Sequence, residues 1–196
     1  EQSGYMMSVG YDMYLQLLEE AVLEEKGEKK KTVVECSADL AVSAHIPDRY
    51  VPSNQQRMDL YRRIAGIRSD TDAADLLDEL MDRYGDPPKS VYALLDVALL
   101  RAGAARVGIS DISQKGRQIK FVLADFDVEA VASLVSSARY RRCLVVNAGA
   151  VPALTLTLQP KEPVLETALR LTEDLRLARE SQAAEESPPG SDAADS

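Results

Sequence analysis

Tryptophan is absent from this chain of 196 residues, histidine occurs once and cysteine twice. Each scarcity excludes something. A zinc hydrolase or a histidine-activated nucleophile would have to use one imidazole, His45, which lies in an apolar stretch next to Pro47. We read it as structural or surface-lying. Cys36 and Cys143 are far apart in sequence and lack the paired spacing of a metal site. They read as small buried hydrophobes in a reducing compartment. No apolar run approaches the roughly 20 residues of a bilayer-spanning helix, and the longest resemble Leu144-Val145-Val146. With no targeting signal visible, a cytoplasmic location without membrane association is expected. Neither G-x-x-x-x-G-K-[ST] nor G-x-G-x-x-G occurs, so phosphate-loop hydrolysis and dinucleotide binding of that kind are not expected of these residues. The expected metal and cofactor content is none.

What is present is a globular composition with an acidic excess. Apolar residues make up 45% and charged residues 28%, which is ordinary for a chain that buries a core. The formal net charge of −9 argues against a general affinity for nucleic acid, which needs clustered Lys and Arg, and suits a basic protein partner.

Residues 8–26 read as a helix with Tyr11, Tyr14, Leu15, Leu18, Ala21 and Val22 on one face. Gly27 and the run Glu28-Lys29-Lys30-Lys31 read as a solvated connector. Residues 33–46 suggest one or two extended segments, and Pro47 and Pro52 bracket a turn. Ser53 or Asn54 caps a helix to about Ile67, with Met58, Tyr61, Ile64 and Ala65 facing inward. Ser69 to Asp72 offer caps for a second helix, which Gly85 and Pro87-Pro88 terminate. Residues 89–106 give a third, with Val91, Leu94, Leu95, Ala98, Leu99, Ala102 and Ala105 on its core side. The period then changes. A hairpin turning at Lys115-Gly116, a helix over 127–138, two short strands separated by Gly149 and Pro152, and a helix starting at Pro163 complete the order. Leu165, Ala168, Leu169, Thr172 and Leu175 mark the core side of that last helix. From Ser181 onward the chain has almost no core-forming residues and reads as a disordered acidic tail. The fold class is α+β, a helical first half with a small, mostly antiparallel sheet of hairpins and a C-terminal helix.

One constellation stands out. At about 100° per residue, DTDAADLLDELMDRYG places Ala73, Leu76, Leu77, Leu80, Met81 and Tyr84 in one arc. Asp72, Asp75, Asp78, Glu79 and Asp82 share the opposite face, with Arg83 at its margin. The bland reading is a solubilising face; the sharper one is a docking surface for basic residues. Acid–base catalysis or a divalent cation would also use carboxylates, but no nucleophile or imidazole accompanies these in sequence. A separate reading, an accessory DNA-contacting domain, would rest on Lys29 to Lys31, Arg62-Arg63 and Arg139-Arg141-Arg142.

Several stretches, taken in order, resemble the bacterial transcription-repair coupling factor (Mfd) family. EQSG-x4-VGYDMYLQLLEEAV is similar to the segment closing that family's motor region, and IPDRYVPSNQQRMDLYRRIAGI with DELMDRYGDPP looks like its C-terminal domain. The resemblance covers about residues 1–180. It implies three parts: 1–28 as the tail of the motor domain and a connecting helix, 29–180 as the C-terminal regulatory domain, and 181–196 as the acidic tail. Glu1, Gln2, Ser3 and Gly4 would be the remnant of a motor motif. The family's parent is an ATP-driven DNA translocase acting with RNA polymerase, UvrA and DNA. The implied role for this stretch is regulatory and without chemistry of its own: packing on the N-terminal UvrA-binding module of the same parent chain and masking it. The resemblance carries Glu79 and Asp82 over as partner-binding residues, and helical geometry adds Asp75 and Asp78.

Overall fold

The computed structural model describes residues 35–186, so the helix expected over 8–26, Glu1 to Gly4, Lys29 to Lys31 and residues 187–196 lie outside it. Among the described residues the order is β1 (Ser37–Asp39), α1 (Asn54–Ala65), α2 (Asp70–Tyr84), α3 (Lys89–Arg106), β2 (Ile109–Lys115), β3 (Gln118–Leu123), α4 (Val128–Ser136), β4 (Leu144–Asn147), β5 (Ala153–Thr157) and α5 (Val164–Glu186). This is the α+β class expected, and the last helix runs on through Ser181 to Glu186, where a disordered tail was expected. These residues divide into two compact units. One comprises residues 43–99; the other comprises 35–42 together with 100–186.

The first unit is helical because its sequence supplies caps and apolar stripes in phase. Ser53 caps α1, its Oγ accepting from the Gln56 N–H at 3.3 Å. Leu60 and Ile64 are the buried residues of α1; Met58, Tyr61 and Ala65, expected inside, are half-buried. The turn IPDRYVP forms as expected, with the Tyr50 and Val51 N–H groups donating to Pro47 O at 3.0 and 3.1 Å. Its Ile46, Tyr50 and Val51 join Leu60, Ile64, Leu76, Leu80 and Leu94 in one core. Each fully buried aliphatic side chain there contributes about 1.5–3 kcal/mol. Two polar side chains lock the turn onto α1. Tyr61 Oη accepts from the Ile46 N–H at 2.8 Å, and Arg57 Nη1 donates to Val51 O at 2.7 Å. Helix α3 buries Val97, Leu100 and Ala104 beyond its expected stripe. Its residues to Leu99 belong to the first unit and those from Leu100 to the second.

The second unit is built on a five-stranded sheet in the order β1-β2-β3-β5-β4. Four strands pair antiparallel, and β1 joins β2 in parallel, Ala38 opposite Ile112. Residues 40–46 add no further strand. Side chains alternate faces along a strand, so Ile109 and Ile112 should point oppositely. A register shift between Ile109 and Asp111 inserts the extra residue that lets both be buried. With Ile119, Phe121, Leu154 and Leu156 they form the sheet's contribution to the core. The hairpin turns at Gly116-Arg117, one residue later than expected, with Gly116 at φ +59°. Helix α5 buries Thr167, Ala168, Leu171, Thr172 and Leu175, whereas Leu165 and Leu169 are half-buried. Near its end Arg179 Nη1 donates to Val107 O at 2.5 Å and pairs with Asp125, clasping the entrance to β2.

Candidate functional site

The acidic helix α2 starts in a reciprocal cap. Ser69 Oγ accepts from the Asp72 N–H at 3.2 Å, and Asp72 Oδ2 accepts from the N–H groups of Ser69 at 3.1 Å and Arg68 at 2.9 Å. The Arg68 N–H bond is foremost in holding the Asp72 carboxyl below its ordinary range. The helix stops at Gly85, whose φ of +80° glycine adopts without penalty and whose N–H donates to Met81 O at 3.0 Å. Tyr50 fixes this end from the side. Its hydroxyl reaches Gly85 O at 2.9 Å and Leu80 O at 3.2 Å, and its ring meets that of Tyr84 with centroids 5.7 Å apart. Ala73, Leu76 and Leu80 are buried, and Leu77 and Tyr84 are half-buried. Met81, expected on the buried side, is 42% exposed. It sits about 100° around the helix from Leu80, at the edge of an apolar arc narrower than the sequence suggests.

The five acids divide by partner. Asp72 is spent on the cap. Glu79 is gripped by α1: Arg63 Nη1 donates to its Oε1 at 2.8 Å and Nη2 to its Oε2 at 2.5 Å, and Arg83 Nη1 adds a contact at 3.3 Å. This bidentate fork fixes both side chains, and the Arg63 hydrogen bonds bring the Glu79 carboxyl down to about 2. Asp75, Asp78 and Asp82 remain exposed, without an ion pair among the described residues. They fall within about 60° of helical arc and span about 10 Å along the axis. The result is three unneutralised carboxylates in a strip on a helix capped at both ends. The Arg63 contact was not visible in sequence because it bridges 16 positions between two helices. Its only signal was an arginine on the polar side of α1.

The other candidates are dispersed. His45 is half-buried, with its backbone N–H donating to Ser90 O at 3.1 Å. Both cysteines are free thiols; Cys36 is buried and Cys143 half-buried. Burial pushes the Cys36 thiol up to about 12. Among the described residues no group of three His, Cys, Asp or Glu is placed to hold a metal ion, and no helix is long and apolar enough to cross a membrane. Of the arginines considered for DNA, Arg62 pairs with Asp59, Arg63 with Glu79 and Arg139 with Asp174.

The family model of the TRCF domain matches residues 40–134. The transcription-repair-coupling factor of Staphylococcus epidermidis is 33% identical over 126 residues, covering 63% of this chain and 11% of that protein. The Staphylococcus aureus protein of the same name is 35% identical over the same length and shares of each chain. The chain thus spans about a tenth of the length of these curated relatives. A crystal structure of the C-terminal domain of transcription-repair coupling factor superposes with a TM-score of 0.64 at 22% identity, covering 76% of this chain and 96% of that one, which shows the shared fold.

Proposed function

We propose, from the match of residues 40–134 to the TRCF domain model, that this chain works as a regulatory, non-catalytic docking domain of a longer translocase that couples transcription to DNA repair. In this reading it packs through α2 on the N-terminal UvrA-binding module of the same protein and masks that module from UvrA. RNA polymerase and DNA are then partners of the whole protein. Residues 29–180 act as the lid and residues 1–28 as its link to the motor. The observation that carries the reading is the sorting of charge on α2. Asp75, Asp78 and Asp82 are left open as a strip, whereas Asp72 and Glu79 hold the helix in place. A rigid row of unpaired acids favours approach by a basic surface and sets its register.

In this reading the face has two roles. Glu79 positions the helix through Arg63; Asp75, Asp78 and Asp82 meet the partner. Binding of this chain to the isolated N-terminal module tests it, by calorimetry at 50 and 300 mM salt. Reversing all three aspartates to lysine is expected to weaken binding at least tenfold at low salt while the thermal midpoint stays within a few degrees. Binding of the native chain is expected to weaken as salt rises. Unchanged affinity of the triple variant removes α2 as the docking face.

A further inference from the structure

The fold regroups cations that the sequence scatters. Arg141 and Arg142 are exposed, and unlike Arg139 they make no ion pair among the described residues. They immediately precede β4, where the Thr157 N–H donates to Cys143 O at 2.8 Å. That bond sets Arg142 beside the end of β5. At the same end the Leu158 N–H donates to Arg117 O at 2.7 Å, and Lys115 pairs with Gln118 where β2 meets β3. Antiparallel pairing therefore delivers Lys115, Arg117, Arg142 and Arg141 to one edge of the second unit's sheet. Lys161 joins them from the turn that follows β5. All five side chains are exposed and free of ion pairs among the described residues. Glu162, in that turn, accepts the Gln159 N–H through Oε2 at 2.8 Å and leaves one negative charge among the five positive ones.

Two features indicate what such a rim suits. The first is its shape. Three strand spacings separate β2 from β4, so the backbones of Lys115 and Arg142 stand roughly 14 Å apart. A duplex carries one negative charge per about 1.7 Å of its axis, both strands counted, so a rim of this length with five cations can meet about four phosphates. The second is composition. The aromatic residue of this edge, Tyr140, is buried with its hydroxyl on Asp174 at 2.5 Å. That leaves no exposed ring to stack on a base or to anchor a protein interface. Lys161 adds an independent sign. It holds φ +64°, a left-handed conformation that glycine would take without strain, yet the position carries a cation.

We propose that this rim binds the phosphodiester backbone of a nucleic-acid duplex without reading its sequence. The contact is separate from the docking face and stands or falls independently of it.

Fluorescence anisotropy of labelled 20-base-pair DNA and RNA duplexes, titrated with the whole chain between 50 and 200 mM salt, tests the proposal. Binding to either duplex is expected, the tighter one identifying the physiological source, with log K falling against log salt at a slope near −4 for about four phosphates. Arg141→Glu with Arg142→Glu should cost at least tenfold in affinity and reduce the slope by about two. Lys161→Gly should reduce the slope by about one while the thermal midpoint holds or rises, which separates lost contact from lost fold. Arg62→Glu, at a cation already paired with Asp59, should change nothing. Absence of binding to both duplexes at 50 mM salt, or charge reversal without effect, overturns the proposal. So does poly-glutamate displacing the duplex as well as unlabelled duplex of equal charge, which would assign the rim to an acidic protein.

Discussion

Replacing Tyr50 by phenylalanine removes one oxygen atom and tests how the acidic helix is held. The Tyr50 hydroxyl lies 2.9 Å from Gly85 O and 3.2 Å from Leu80 O. Leu80 O sits inside the helix and keeps a backbone donor, so the loss falls on the bond to Gly85. Gly85 is exposed, and water can replace the hydroxyl, so the full desolvation penalty of a buried orphan does not apply. The net cost is that of one neutral hydrogen bond, about 1 kcal/mol, which corresponds to a fall of about 2–4 °C in Tm for a chain of this size. Tyr50→Ala also deletes a ring that is 9% exposed in the core, and costs about 3–5 kcal/mol. Tyr84→Phe is the internal control. Its hydroxyl meets Gln56 Oε1 at 3.0 Å in an exposed setting, so its removal costs less than about 0.5 kcal/mol. Urea unfolding followed by circular dichroism measures all three. Equal shifts for Tyr50→Phe and Tyr84→Phe would refute the argument that the hydroxyl of the IPDRYV turn secures the end of α2.

Three further outcomes follow from other sites. Glu79 titrates near 2 in the folded chain against an ordinary 4.5, so the Arg63 fork contributes its full stability above pH 4.5 and loses it as pH falls toward 2; Glu79→Gln should therefore flatten the acid limb of a stability–pH profile in that window and lower stability at pH 7. Gly108→Ala places a Cβ 2.6 Å from Asp125 Cβ at φ +80° and should cost about 2–4 kcal/mol, whereas Gly116→Ala, at φ +59° with nothing within 4 Å, should cost about 1–2 kcal/mol in denaturant titrations. A thiol reagent at pH 8 should modify one cysteine per native chain, Cys143, and reach Cys36 only on unfolding; Cys143→Ser should then leave the native chain unreactive.

Local signals are legible in the sequence because their causes are local. Ser69 capping α2 and Gly85 ending it each act within four residues, and the structure places each where its chemistry requires. The turn residues between β4 and β5 act over a similar range. The sequence hides features whose cause lies elsewhere in the chain. Leu60 and Leu171 are buried because their neighbours in space complete a core that periodicity alone does not outline. The parallel partner of β1 is 74 positions away, and the bulge in β2 becomes visible only against β3. The candidate site divides along the same line. The acidic face was legible as a helical arc, but Arg63 arrives from another helix and takes Glu79 out of the open set. The basic rim was invisible because Lys115, Arg117, Arg142 and Lys161 become neighbours only through strand pairing.

The pairing of β1 with β2 also has a consequence for synthesis. Residues 43–99 form an insertion between the first strand and the rest of its sheet. Such a stretch has its contacts close in sequence and can close quickly, once its own third helix has left the ribosome. Strand β1 is made before it, yet must wait with an open edge until Ser113 emerges. The expected order of assembly is inside out: the inserted helical unit first and the sheet last, when α5 supplies Leu171 and Leu175 to the core.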